Sequence, residues 1–194
     1  CGSSSLKYDF INIEKSHTIV SGQFTNIGAN NSMHEYNIGD KKSKVEDTIS
    51  DHEKAFEILH TFLKEKAFIT DDLNTFDAIG HRVVHGGEKF IDAVVIDDDV
   101  KNTIEELNPL APLHNPVNLQ GINLCEKYFP NIKQVAVFDT AFHQTMAKKT
   151  YLYGIPYEWY EKHHIRRYGF HGNSHYYVAL KAAEYLKQPY NRLR

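Results

Sequence analysis

Two short, largely apolar runs, residues 76–79 and 135–138, constrain this chain more than any other feature, because each is too brief for a helix and each leads into charged residues. Buried strands of this kind set between amphipathic helical stretches are the units of an α/β layer architecture. In open sheets of that class, ligands collect beyond the carboxyl ends of the strands. The first run leads into Gly80-His81-Arg82-Val83-Val84-His85-Gly86-Gly87-Glu88, a glycine-pinned turn carrying an arginine and two histidines. The second delivers a carboxylate, Asp139, at its end.

The stretches between these runs have helical signatures. Ser50-Asp51-His52-Glu53 matches a capping box, and Ala55, Ile58, Leu59, Phe62 and Leu63 then recur at helical spacing. After a short strand at residues 94–96, a second helix is predicted, with Asp97, Asp98 and Asp99 at its positive dipole end and Val100, Ile104 and Leu107 buried. Asn115 followed by Pro116 predicts an N-cap and a first-turn proline for a third helix ending near Pro130. A last helix, capped by Asn173 or Ser174, is predicted to reach Lys187 with Val178, Ala182 and Tyr185 inward. Upstream, Leu6, Tyr8 and Phe10 alternate with polar residues, and runs at 17–20, 23–27 and 33–38 are separated by Ser, Gly and Asn. That pattern predicts an antiparallel meander, with residues 39–47 as a loop or hairpin tip. The aromatic stretch 151–168 contains Gly154 and Pro156, has no clean period, and reads as a linker into a second domain.

Composition narrows the function classes. A net charge of −3 gives no basic footprint for nucleic acid. No run of about 18 apolar residues is available to span a membrane. Cys1 and Cys125 lie far apart and outside any metal-ligand pair, so a disulfide framework is not expected and a cytoplasmic, reducing compartment is. With Cys1 already inside a turn motif and no initiator methionine, the start of the protein is expected to be missing.

Arg82 offers a fixed fork of donors that matches carboxylate or phosphate oxygens. Cys1-Gly2-Ser3-Ser4-Ser5-Leu6-Lys7 combines a Gly/Ser turn with a lysine, a composition that lets N–H groups and hydroxyls approach phosphate. These segments, with Ala111-Pro112-Leu113-His114-Asn115-Pro116, residues 137–145 and Arg167-Tyr168-Gly169-Phe170-His171-Gly172, resemble the acetate kinase family of acetate and propionate kinases. The blocks keep family order from the first residue to about position 188 and resemble the first half of such an enzyme.

The resemblance implies an α/β, actin-like ATPase fold, with residues 1–141 a ribonuclease H-like domain lacking its first strand and 142–194 the start of a nucleotide-binding domain. It implies reversible transfer of the γ-phosphoryl group of ATP to acetate, giving acetyl phosphate and ADP, with Mg²⁺ or Mn²⁺ as cofactor and a homodimer at full length. By the same resemblance Arg82, Asp139 and His171 are catalytic, and Arg82 also binds substrate with Val84, Leu113 and Phe170, whose side chains receive the acyl methyl group. Lys7, Ser3 and Ser5 correspond to the nucleotide phosphate side, Asp139 to the organiser of metal ligands outside the chain, and His114 and His175 to supporting positions. Asn173 stands where the family usually has threonine. One methylene changes pocket affinity by only about 1–3 kcal/mol, so a propionate or other short-chain acyl kinase is the nearest alternative. A non-catalytic truncated binding fragment and a His-rich metal hydrolase are the readings from other classes. Zinc between His171 and His175 is not expected, because Gly172 and the predicted cap interrupt their helical spacing and a third ligand is lacking.

Overall fold

The alternation that begins at Leu6 produces β1 (Leu6–Asn12), the first strand of an antiparallel meander completed by β2 (His17–Thr25), β3 (Met33–Ile38) and β4 (Lys41–Glu46). The computed structural model describes residues 1–70 and 76–193. Two of the sequence expectations change here. Residues 17–25 form one strand rather than two, because Ser21-Gly22 is no turn: Tyr8 lies across Gly22 from the paired strand. Residues 41–46, expected in a loop or hairpin tip, pair along their length with β3, and the hairpin turn shrinks to Gly39-Asp40. The lysines of β4 point into water from an edge strand, where charge discourages further strand addition.

Helix α1 (His52–Glu65) is capped by Asp51, whose carboxylate accepts from Lys54 N–H at 2.8 Å, while Ser50 donates its hydroxyl to Asp51. Its buried stripe is Ala55, Phe56, Leu59, Phe62 and Leu63. Phe62 meets His34, which stacks on Phe24 at 4.1 Å and 10° and pairs with the Tyr8 hydroxyl at 2.8 Å. Burial pushes the His34 imidazole down to about 4 and raises the Tyr8 phenol above its ordinary range. Cys125 is likewise buried, its thiol pushed up to about 12, which makes it an inert packing residue. Residues Cys1–Asp77 and Val117–Ile132 form this compact unit.

The second unit comprises Ala78–Pro116 and Lys133–Arg194. Its sheet has β7 (Lys133–Phe138) at the centre, parallel to β5 (Ala78–Val83) and antiparallel to the short β6 (Val94–Val95). The first apolar run therefore feeds a strand that starts at Ala78 and continues through His81 and Arg82. Register pairs Arg82 with Val137 and Val83 with Phe138, which brings the two chemistry-bearing strand ends to one level. Val83, Phe90, Ile104, Ala136 and Phe138 are buried in this unit, with the Phe90 and Phe138 rings stacked at 4.3 Å. Helix α2 (Asp98–Glu106) has the expected acidic start, capped by Asp97.

Asn115 opens α3 (Asn115–Tyr128). It accepts from the His85 N–H at 3.1 Å and donates to the carbonyls of His85 and Ile104, tying the turn before α3 to the end of β5. The amide is fully buried, so Asn115→Leu leaves the His85 N–H and two carbonyls without partners. A loss of about 3 kcal/mol is expected, read as a lower urea midpoint; a change below about 1 kcal/mol would contradict this role.

Residues 151–168 are more ordered than the predicted linker. They follow α4 (Lys148–Tyr151), contain α5 (Tyr157–His163), and return to place a buried Arg166 against the ring of Tyr151 at 3.6 Å. Helix α6 (Gly172–Leu186) also departs from expectation: Gly172 and Ala183 are its buried residues, whereas Val178 and Tyr185, predicted inward, are exposed. Among the described residues, no helix is long and apolar enough to cross a membrane.

Candidate active site

Arg82, Asp139 and His171 converge beyond the carboxyl ends of β5 and β7. Asp139 is fixed by its own backbone, donating its N–H to the Val83 carbonyl at 3.0 Å and accepting from the Gly172 N–H at 2.9 Å. Only 2% of its side chain is exposed. The Arg82 guanidinium meets it as a fork, Nε to Oδ1 at 2.9 Å and Nη2 to Oδ2 at 2.6 Å, while 61% of the arginine side chain stays exposed. The carboxylate raises the Arg82 pKa further, so the cation is permanent. A buried anion holding an exposed cation gives an oriented positive group whose remaining N–H donors face outward.

His171 completes the cluster. Arg82 Nη2 lies 2.9 Å from its Nδ1, and because a guanidinium only donates, Nδ1 is the acceptor. The imidazole proton therefore sits on Nε2, an N–H donor on a ring that is 69% exposed. His171 has φ +55° immediately before α6, and that helix has no side-chain cap, contrary to the expectation of Asn173 or Ser174. A left-handed histidine persists only where its surroundings over-determine it.

The glycines that flank His171 make room for the protein's own atoms. A Cβ on Gly172 would lie 2.6 Å from the Asp139 carbonyl oxygen, and one on Gly169, at φ +74°, would lie 2.6 Å from the His143 ring.

Of the apolar candidates, Phe170 lies at the same strand end, against His85. The His85 ring stands edge-on to Phe170 at 5.7 Å and to Tyr168 at 4.4 Å. Val84 adjoins His85 in sequence, and Leu113 precedes by two residues the Asn115 that is bonded to His85. Leu113 and Phe170 are exposed and Val84 is half-buried. His85 Nδ1 accepts from the Gly87 N–H at 3.0 Å, and burial, aided by Arg166, lowers its pKa to about 4, so the ring is neutral. His114 is exposed in the turn before Asn115, and the His175 ring faces His143 at 5.9 Å.

Ser3, Ser5 and Lys7 belong to the first unit. Gly2 and Ser5 bond reciprocally across a closed turn, N–H to carbonyl at 2.7 and 3.3 Å, with Ser3 at its exposed tip and Lys7 exposed on β1. His52 and Asn118 hold the carbonyls of Gly2 and Cys1 from behind. Among the described residues, no three His, Cys, Asp or Glu side chains gather to hold a metal ion.

Several further residues support the site. Thr140 Oγ1 accepts from the Gly86 N–H at 3.0 Å, and Gln144 donates to the Gly87 carbonyl at 2.7 Å, so the segment after Asp139 fixes the glycine turn. Glu88 accepts from Arg166, from the Tyr160 hydroxyl at 3.1 Å and from His164 at 3.3 Å. Burial opposes ionisation of Glu88, but these partners outweigh it and its pKa falls. The clue in sequence was position: Thr140, His143 and Gln144 all lie within a few residues of Asp139.

The whole chain, residues 1–194, matches the model of the acetokinase family. It is 50% identical over its full length to the acetate kinase of Thermotoga maritima, covering 48% of that protein, and 50% identical to that of Carboxydothermus hydrogenoformans, covering 49%. Among solved structures, a propionate kinase from Francisella tularensis superposes on 97% of the chain with a TM-score of 0.90 at 44% identity, covering 48% of that structure. The acetate kinase of Porphyromonas gingivalis superposes on all of it, also with a TM-score of 0.90, at 42% identity and 49% coverage of that structure. The chain thus spans about half the length of the curated relatives it matches. With this sequence match along its entire length and an actin-like α/β fold shared with solved acetate and propionate kinases, the chain belongs to the acetokinase family.

Proposed function

We propose that this chain supplies the acyl-substrate side of an acetate kinase, which transfers the γ-phosphoryl group of ATP to acetate and returns it from acetyl phosphate to ADP. The observation that carries this reading is the Arg82 guanidinium held by buried Asp139 beside the Nε2–H of His171. An ionised carboxylate is already a nucleophile near neutral pH and needs no base. Its difficulty is charge, since it must approach a phosphate that is itself negative.

In this proposal Arg82 pairs with oxygens of acetate or of the transferring group, and Asp139 keeps the guanidinium aimed. His171 donates its Nε2 proton as a hydrogen bond to an equatorial oxygen of the phosphoryl group. The carboxylate oxygen forms its bond to phosphorus while the bond to the bridging oxygen of ADP breaks, and no proton needs to move. Val84, Leu113 and Phe170 receive the methyl group, with His114 and His175 in support. Ser3, Ser5 and Lys7 serve the nucleotide phosphates. Mg²⁺ or Mn²⁺, when bound with ATP, would offset phosphate charge. Both Asp139 oxygens are engaged by Arg82, and in this reading the metal's own ligands lie outside the described residues, with Asp139 ordering that side of the site.

The same reading assigns residues 1–141 to a ribonuclease H-like domain and 142–194 to the start of a nucleotide-binding domain, in a cytoplasmic homodimer at family length. The chain on its own is proposed to be inactive. A propionate kinase is the second reading, favoured by the likeness to the Francisella tularensis structure. The test is hydroxylamine trapping of acyl phosphate from ATP, Mg²⁺ and either acetate or propionate, comparing this chain with a version completed to the length of its relatives. Acyl phosphate from the completed protein alone is the expected result. Turnover by the short chain would overturn its proposed dependence on the other half, and failure of both with both acids would overturn the kinase reading.

A further inference from the structure

We infer that His143 is a positioning residue for His171, acting through the Phe170 carbonyl. The inference rests on the phosphotransferase reading above and adds to it a residue that makes no contact with the reacting groups.

His143 lies in the short 3-10 turn Ala141–Thr145, two residues beyond the segment that carries Asp139. Its Nε2 lies 3.1 Å from the Phe170 carbonyl oxygen, and since a carbonyl only accepts, the imidazole donates. Its ring fills the space that a Gly169 side chain would need, lying 2.6 Å from the ideal Cβ position there. The turn is set by its own backbone, with His143 N–H to the Thr140 carbonyl at 3.3 Å and Met146 N–H to the His143 carbonyl at 3.1 Å.

Two struts therefore run from the end of β7 to the loop before α6. One joins the Gly172 N–H to the Asp139 carbonyl on the helix side of His171; the other joins His143 to Phe170 on the near side. Between them the histidine backbone stands at φ +55°, a conformation with a cost for any residue that has a Cβ. Removing one strut lets the peptide at Phe170 rotate and His171 relax toward ordinary dihedrals. The ring then leaves Arg82 Nη2, and the direction of its Nε2–H is lost. Phe170, whose ring meets His85, would shift with it, but the methyl pocket has other walls and the aimed hydrogen bond has no substitute.

The experiment uses the chain completed to family length and begins with acyl phosphate formation by the unsubstituted protein. There, His171→Ala tests the functional role and His143 variants test the inference. His143→Ala is expected to lower kcat about 30-fold while KM for acetate stays within about threefold. Gln presents an amide N–H at nearly the reach of Nε2 and is expected to recover activity to within about fivefold of the unsubstituted enzyme; Asn falls short and is not. In the His171→Ala background, His143→Ala should add less than about twofold, since a residue acting through His171 has nothing left to position. Gln and Asn are both polar and of similar size, so their comparison stands even if the alanine variant does not fold. Equal activity of the two, or a full additive loss in the double variant, would overturn the inference while leaving the role of His171 intact. No acyl phosphate from the unsubstituted protein would remove the functional reading and the inference with it.

Discussion

Asp139→Asn in the family-length protein is expected to reduce acyl phosphate formation by about 10³-fold with little change in thermal midpoint. The amide keeps the shape of the carboxylate, so packing is preserved. The backbone bonds of Asp139 to Val83 and Gly172 do not involve the side chain and survive. What changes is the edge that meets the guanidinium. The carboxylate accepts at both oxygens, from Nε and from Nη2. An amide accepts at one and presents two N–H donors at the other, facing donors of Arg82. The fork cannot close, and an arginine with 61% of its side chain in water has little else to hold it. Arg82→Lys should fail for the complementary reason, because an ammonium has no planar pair of donors for the carboxylate. Activity within about tenfold of the unsubstituted enzyme, roughly 1.4 kcal/mol in the barrier, would remove Asp139 from its assigned role.

That pair of residues was legible in the sequence because strand ends are where α/β sheets expose chemistry, and both lie within or just after short apolar runs. The element types followed from periodicity in the same way, as in α1, where Ala55, Leu59, Phe62 and Leu63 mark a face that the fold buries. The readings that changed share a different cause: each depended on what a neighbouring segment does. Ser21-Gly22 has the composition of a turn but the strand continues through it under Tyr8. Residues 41–46 read as loop because four of them are Lys or Glu, yet an edge strand needs only one paired side and tolerates charge on the other. Asn115 has the chemistry of a cap, and its amide also reaches His85 and Ile104, partners that no local pattern announces. The glycines around His171 admit the Asp139 carbonyl and the His143 ring, neighbours that are far off in sequence. His143 falls within the block 137–145, but its use is not legible there, because an imidazole among many histidines becomes informative only when its partner is known.

Acidification should begin to destabilise this protein near pH 6.5, above the range in which its carboxylates titrate, and the cause is its buried histidines. His34 is 3% exposed and His85 is 2% exposed, and in both the folded pKa is lowered from 6.5 to about 4 by burial. The folded state thus binds protons less readily than the unfolded chain, so stability falls as pH drops. The loss begins near the unfolded value of 6.5, grows through the window, and is complete once the pH passes the folded value of about 4. Per histidine the full change is about 3 kcal/mol, of which about 2 kcal/mol is already lost at pH 5. Each unit holds one such group and so loses about 2 kcal/mol at pH 5, a sizeable part of the stability of a typical domain. His81 adds in the same direction, lowered to about 4 by burial against the opposing bond to Gln134. The measurement is the urea midpoint between pH 7.5 and 5, with the histidine C2 protons followed by NMR. A steep fall below pH 6.5 is expected, and in His34→Phe it should be shallower by about one proton, since a phenyl ring stacks on Phe24 but does not titrate. A midpoint that is flat from pH 7.5 to 5 would mean that these imidazoles bind protons in the folded state as freely as they do in water.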